Sequence, residues 1–184
     1  MRSFVIGIVC ICLSACQALP LMPFKINTYT DSAPVLLNVS LMEVQSDTQT
    51  YNRLPHIEKQ MPITPDDAVQ DWAHNRLRAT NPTSPITAEF QIKKAYMTQS
   101  DAPSGKWYIL DNVAYRLDYD VVLYFKQNGQ IIHSQTAGGW EEYAIPQKSS
   151  LISKENIWEK MMNNMIQKIN DKIIPQIPSK FIQN

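Results

Sequence analysis

The sequence predicts an α+β fold: a two-layer sandwich of about four mainly antiparallel strands with two amphipathic helices on one face of the sheet. Three observations carry this expectation. Apolar residues recur at intervals of three and four in two segments, near residues 64–80 and 153–174, which is the period of a helix with one buried stripe. Four other segments alternate apolar and polar residues, the period of a half-buried strand. Asn128-Gly129 separates two long alternating runs and marks a two-residue hairpin. The order β-α-β-β-β-α then places both helices over one sheet face and leaves the other half-exposed.

Each element has its own signal. Residues 17–33 contain turn formers and no period, and are expected to be a tether. From Pro34, Leu37, Val39 and Leu41 alternate with Asn38, Ser40 and Met42, predicting one strand. Residues 46–63 form a long polar loop broken by prolines, a length that suggests function or mobility. The first helix begins at Thr64 as N-cap, with Pro65 at the first helical position and Asp66 and Asp67 in the first turn. Asp67 stands three residues after Thr64, an Asp version of the capping box. Ala68, Val69, Trp72, Ala73, Arg76 and Leu77 form its stripe, and Asn81-Pro82 is expected to end it. A strand over Thr87–Tyr96 would place Ala88, Phe90, Ile92, Lys94 and Tyr96 on one face. Residues 99–112 read as a loop, with a short strand at Trp107–Leu110. The hairpin strands are expected at Val113–Lys126 and Gln130–Tyr143, with a bulge or bend at Gly138-Gly139. The second helix, Ser153–Ile174, carries Ile157, Trp158, Met161, Met162, Met165, Ile166, Ile169 and Ile173 on one stripe and stops at Pro175.

Composition narrows the function. The chain has 184 residues, 44% of them apolar, with 17 basic and 17 acidic side chains. A balanced charge provides no footprint for nucleic acid and no polybasic membrane patch. We expect a single domain over residues 34–178 followed by a tail at 179–184.

The N-terminus is the most informative segment. Arg2 precedes an apolar run from Phe4 to Leu13 that spans about 15 Å as a helix, half of a ~30 Å hydrocarbon core. That is a signal-peptide core rather than a membrane span. Leu13-Ser14-Ala15-Cys16 follows and resembles the bacterial lipobox. The resemblance implies removal of residues 1–15, a diacylglycerol on the Cys16 sulfur, and a membrane partner engaged through acyl chains. Cys10 and Cys12 lie within the leader, so the mature chain keeps Cys16 alone and can form no internal disulfide. Gln17, a non-aspartate after the Cys, resembles the outer-membrane sorting pattern. Localisation is therefore expected to be the cell envelope, lipid-anchored in the outer membrane and facing the periplasm.

No residue set announces catalysis. His56, His74 and His133 have no metal-ligand spacing, and no nucleophile elbow or phosphate-binding glycine loop occurs. Arg116, Asp118 and Asp120 share one strand face and read as a solvated charge ladder. Glu141 and Glu142 are adjacent, so they point to opposite faces. We expect no enzyme, no cofactor and no metal. Trp72 and Trp158 sit on helix stripes and belong to the core. Trp107 and Trp140, in a loop and near a strand end, are equally candidates for the core edge and for partner contact, with His56 and Ile57 of the long loop beside them.

Leu54-Pro55-His56-Ile57-Glu58, Pro62-Ile63-Thr64-Pro65, Asp71-Trp72-Ala73 and Asn75-Arg76-Leu77-Arg78-Ala79 together resemble an uncharacterised family of proteobacterial lipoproteins. That family runs a Pro-rich loop into a helix with a similar core, and Asp71 departs from a position often basic there. The resemblance implies an envelope lipoprotein and no catalytic residues. A lipobox ahead of two helices on a four-stranded sheet is also distantly similar, at the level of fold, to lipopolysaccharide-assembly and lipid-transport auxiliary lipoproteins. The expected role is a binding or assembly module contacting an envelope protein complex. The alternatives are a carrier for a lipid or other apolar ligand and, last, an envelope hydrolase.

Overall fold

The computed structural model describes residues 24–49, 53–102 and 112–183. Eight regular elements follow one another: β1 (Val35–Leu37), β2 (Met42–Ser46), α1 (Pro65–Arg76), β3 (Leu77–Ala79), β4 (Ile86–Ala102), β5 (Asn112–Gln127), β6 (Gln130–Pro146) and α2 (Leu151–Ile173). The main sheet has the order β2-β4-β5-β6. β4, β5 and β6 form an antiparallel meander, and β2 lies parallel to β4. The parallel pair needs a crossover, which α1 supplies. α1 packs over β4 and α2 over β5 and β6, so the fold is α+β with both helices on one side.

The expected first strand is two strands. β1 pairs with β3 in a small parallel sheet, and β2 joins the main sheet. Residues 38–41 step between them because polar groups hold them there. The Asn38 amide nitrogen donates to the Phe181 carbonyl at 2.8 Å, Asn81 Nδ2 donates to Asn38 Oδ1 at 2.8 Å, and the Ser40 amide donates to the Ile86 carbonyl at 2.8 Å. Side-chain and long-range bonds of this kind outcompete a continuous ladder. Leu37 and Val39 are buried as expected, whereas Leu41 is exposed.

α1 starts as the sequence predicts. Thr64 Oγ1 accepts from the Asp67 amide at 3.1 Å, and the Thr64 amide donates back to the Asp67 carboxylate. The helix ends at Arg76 rather than at Asn81. Leu77 turns extended (φ −117°, ψ 121°) because Leu77–Ala79 pair with β1 and bury Leu77.

β4 outruns its expected range and carries a bulge between Ile92 and Lys94. The extra residue shifts the alternation. Ala88, Phe90 and Ile92 face the core, followed by Ala95 and Met97, so Lys94 and Tyr96 do not share the face of Ala88, Phe90 and Ile92 as expected. The bulge keeps both adjacent lysines, Lys93 and Lys94, exposed. At the hairpin, Asn128 (φ 51°) and Gly129 (φ 78°) both take the left-handed conformation of a type I′ turn. Gly138 and Gly139 form no bend: Asp120↔Gly138 and Tyr119↔Gly139 are in unbroken register, and the irregularity falls opposite Phe125/Lys126. Gly139 instead makes room for a ring, since a Cβ there would lie 3.0 Å from Tyr119 Oη.

α2 begins one turn-cap earlier than expected, with the Ser153 amide donating to Ser150 Oγ at 3.2 Å. Its buried stripe is Trp158, Met161, Met162, Met165, Ile166, Ile169 and Ile173. Both flanking segments also belong to the folded unit. Ile26 is buried, the Lys25 amide donates to Glu159 Oε2 at 3.3 Å, the Asn27 amide donates to Asn163 Oδ1 at 2.7 Å, and Asn75 Nδ2 donates to the Thr28 carbonyl at 3.2 Å. Residues 24–33, the described part of the expected tether, thus form a strap docked on the helices, and residues 16–23 lie outside the described residues. At the other end Phe181 stacks on Phe125 at 4.1 Å and Ile182 bridges Leu37, so the expected tail is packed as well. Among the described residues no helix is long and apolar enough to cross a membrane.

The core contains polar atoms without partners: Trp72 Nε1, Trp158 Nε1 and Tyr115 Oη. Burial pushes the Tyr115 hydroxyl above its ordinary pKa of 10.0. Burial also raises Tyr119, and the bond to Glu141 raises Lys168. Each raised group favours its protonated form in the folded state. Their contributions are therefore present below their ordinary pKa values and are lost as pH rises above about 10. We expect denaturant stability to fall above about pH 10, with a shallower fall in Tyr115→Phe, measured as urea midpoints against pH. At neutral pH that variant should be neutral or slightly stabilising, because the deleted hydroxyl has no partner.

Candidate functional site

The open face of the sheet carries Arg116, Asp118 and Trp140, part of the set that the sequence singled out. Arg116 Nε and Nη2 donate to the two Asp118 carboxylate oxygens at 2.8 and 3.0 Å. The Asp118 bond holds the Arg116 guanidinium above its ordinary pKa. The Arg116 guanidinium also lies 4.6 Å from the centroid of the Trp140 ring. Asp118 is opposite Trp140, and Arg116 is opposite Glu142, so these four side chains make one patch across β5 and β6. Lys126 pairs with Glu89 at 2.6 Å further along the same face. An acid already bidentate to arginine is a poor proton shuttle, and the ladder acts as a solvated, charge-matched surface.

Trp140 is 59% exposed, the most accessible of the tryptophans in the described residues. β6 is the last strand of its sheet, and Trp140 stands on it beside an open cleft of ≈ 490 Å³ between the strand and α2. Tyr119, Gly138 and Gly139 line the sheet side of that cleft, and Lys168, Asp171, Lys172 and Gln176 its other side. Glu141 points the other way from Glu142, is buried, and accepts from Lys168 Nζ and, at 3.2 Å, from Asn164 Nδ2. A larger and more polar groove of ≈ 700 Å³ runs between the strap and α2.

His56 and Ile57 occupy a different place. Beyond the end of β2, the neighbouring edge of β4 is taken up by the loop at residues 53–61. The Ile57 amide donates to the Met97 carbonyl at 3.2 Å, and the Gln99 amide donates to the Pro55 carbonyl at 2.7 Å. Ile57 is buried in the core, which removes its side chain from the contact surface assigned to it. His56 is half-buried, with its ring edge-on to Tyr96 at 5.3 Å and Nδ1 3.1 Å from Glu58 Oε1. Trp107 and Cys16 lie outside the described residues, as does the short strand expected at 107–110. Its flanks, Ala102 and Asn112, pair with each other at the end of the sheet where Asn112 also meets Pro146.

Sequence reasoning missed Glu58. It is only 4% exposed, and its Oε1 accepts the Met97 amide at 3.0 Å while also meeting His56. The carboxylate thus replaces a strand neighbour for β4 and fastens the loop. A lone Glu in a Pro-rich segment carries no pattern that would reveal this. Glu58→Ala should cost about 1–3 kcal/mol by leaving a buried amide without an acceptor. Urea unfolding should show the loss, with faster hydrogen exchange concentrated at Met97.

Among the described residues no three His, Cys, Asp or Glu side chains come close enough to share a metal ion. No protein-family model matches the chain, and comparison with curated proteins yields no match. Solved structures resemble it weakly. A minor lipoprotein from Acinetobacter baumannii is 14% identical, with 74% of this chain and 92% of that one covered at a TM-score of 0.37. An uncharacterized lipoprotein B from Nitrosomonas europaea is 14% identical, with 80% and 88% covered at 0.41. The rare lipoprotein B from Shewanella oneidensis is 11% identical, with 73% and 94% covered at 0.39.

Proposed function

We propose that this chain is a membrane-anchored lipoprotein of the cell envelope whose folded domain acts as a binding or assembly module. The observation that carries the reading is the apolar leader closed by Leu13-Ser14-Ala15-Cys16, which supplies an anchor without a membrane-spanning segment. Gln17 favours the outer membrane, with the domain in the periplasm and an envelope protein complex as partner.

The packing bears on what the domain does there. A carrier that encloses its ligand needs a void of at least ~300 Å³ within the core, which the ≈ 490 Å³ cleft between β6 and α2, open to solvent and lined in part by Lys168, Asp171 and Lys172, does not supply. Such a void would leave its lining side chains accessible, yet Phe90, Ile92, Leu117, Leu123, Met161, Met165 and Ile169 have no accessible surface. The filled core supports a module that works through its outside. Trp140, flanked by Arg116 and the glycine-floored cleft, has the aromatic and arginine chemistry that dominates protein contacts.

The test is a photo-crosslinking residue at position 140 in cells producing the full chain. The module reading expects a discrete adduct with an envelope protein from position 140 and none from Gln130 near the hairpin tip. No adduct from position 140 overturns the role assigned to this surface.

A further inference from the structure

We propose that the first turn of α2 is a second membrane contact, with Leu151 and Ile152 entering the lipid interface beside the acylated N-terminus. The inference rests on the lipoprotein reading and adds an orientation to it.

Leu151 is 61% and Ile152 53% exposed, two adjacent large aliphatic side chains at the start of a helix whose other aliphatic residues are mostly buried. Among the described residues nothing requires them there: Ser150 already supplies the cap, and the core stripe begins further along the helix. Their position relative to the anchor is the second observation. The strap follows α2 in the helix's own direction, with the Lys25 amide on Glu159 and the Asn27 amide on Asn163. Ile152, Glu159 and Asn163 lie on one line of the helix, because steps of seven and eleven residues return to within about 20° of the same direction. The described chain therefore begins at Phe24 with its upstream end toward Ile152.

The distances fit. Eight residue steps separate Cys16 from Phe24 and reach at most about 28 Å. Glu159 to Ile152 is about 10 Å along the helix. An acyl group on Cys16 can therefore be in the bilayer while Leu151 and Ile152 touch its surface. An apolar pair of this kind settles ~5–10 Å into the headgroup boundary. Lys148, exposed just before the helix, and Lys154 flank the pair and suit lipid phosphates, with Glu155 the nearest acid on the helix. The hairpin tip at Asn128-Gly129 then points away from the membrane, since β6 separates it from Pro146 by about 55 Å.

The test uses the full chain, processed in a Gram-negative host and purified from membranes. Acylation of Cys16 leaves no free thiol, so Ile152→Cys and Gln130→Cys each take one environment-sensitive fluorophore. The proteins are reconstituted in phosphatidylethanolamine–phosphatidylglycerol vesicles containing a doxyl-labelled phosphatidylcholine. Quenching at position 152 should clearly exceed that at position 130, and Leu151→Asp should reduce it. Equal quenching in a protein with acyl mass overturns the contact and leaves the lipoprotein reading intact. An intact mass without acyl groups overturns the anchor and, with it, the contact beside it, since the pair alone is too weak to hold a free domain on the bilayer. A label at 152 already shielded without vesicles, and unquenched with them, means that residues 17–23 or a second copy cover the pair, and also overturns the contact.

Discussion

Replacing Cys16 with alanine should remove the acyl mass from the protein and abolish its co-fractionation with the outer membrane. The magnitude follows from the anchor. Each buried methylene contributes about 0.8 kcal/mol, and stable attachment takes two such signals rather than one. Two long acyl chains therefore far exceed anything the domain itself presents to lipid. Burying the exposed parts of Leu151 and Ile152 would contribute at most about 1.5–3 kcal/mol each, which is enough to orient an anchored domain and too little to retain a free one. Intact mass and membrane fractionation check this directly. Wild type should lose residues 1–15 and gain acyl mass. The variant should gain none, and any molecules still held by the membrane should retain the leader. An unacylated wild type in the soluble fraction would sink the anchor.

Trp158→Ala should be the most damaging of the core substitutions. Trp158 is buried on α2, edge-on to Tyr115 of β5 at 5.5 Å and 90°, and so joins the long helix to the middle of the sheet. Truncating a buried Trp costs about 3–5 kcal/mol through lost transfer energy and the cavity left behind. Against a total stability of about 5–15 kcal/mol, that is a large fraction. The urea midpoint should fall steeply with little change in slope, and the melting temperature should drop by on the order of 10 °C. Met161→Leu, a volume-conserving change one turn away, should cost less than about 1.5 kcal/mol. A loss of similar size in both would mean that general repacking, rather than the Trp158–Tyr115 junction, sets the sensitivity of this layer.

Legibility in the sequence followed the range of the interactions. The capping box at Thr64, the α2 stripe and the Asn128-Gly129 turn each depend on residues within a few positions of one another, and each forms as expected. The strand over residues 34–45 broke where its hydrogen bonds go to partners some 40 residues or more distant. Gly138-Gly139 suggested a bend from local chemistry alone, whereas the reason for at least one of the pair is the ring of Tyr119 on the neighbouring strand. At the candidate site, the shared face of Arg116 and Asp118 was readable from alternation. Their union with Trp140 required the register of β5 against β6. Ile57 and Glu58 looked like surface loop and were drawn inward by the unpaired edge of β4.

The sequence by itself determined the α+β class, the two helices and the hairpin, because period, caps and turn residues act locally. Only the tertiary structure decided which strand edge the loop at 53–61 closes, that residues 24–33 dock on α2, and that Trp140 stays outside while Ile57 goes in. Those outcomes depend on pairing and packing between residues far apart in the chain, where an unsatisfied amide or an uncovered apolar face outweighs any local preference.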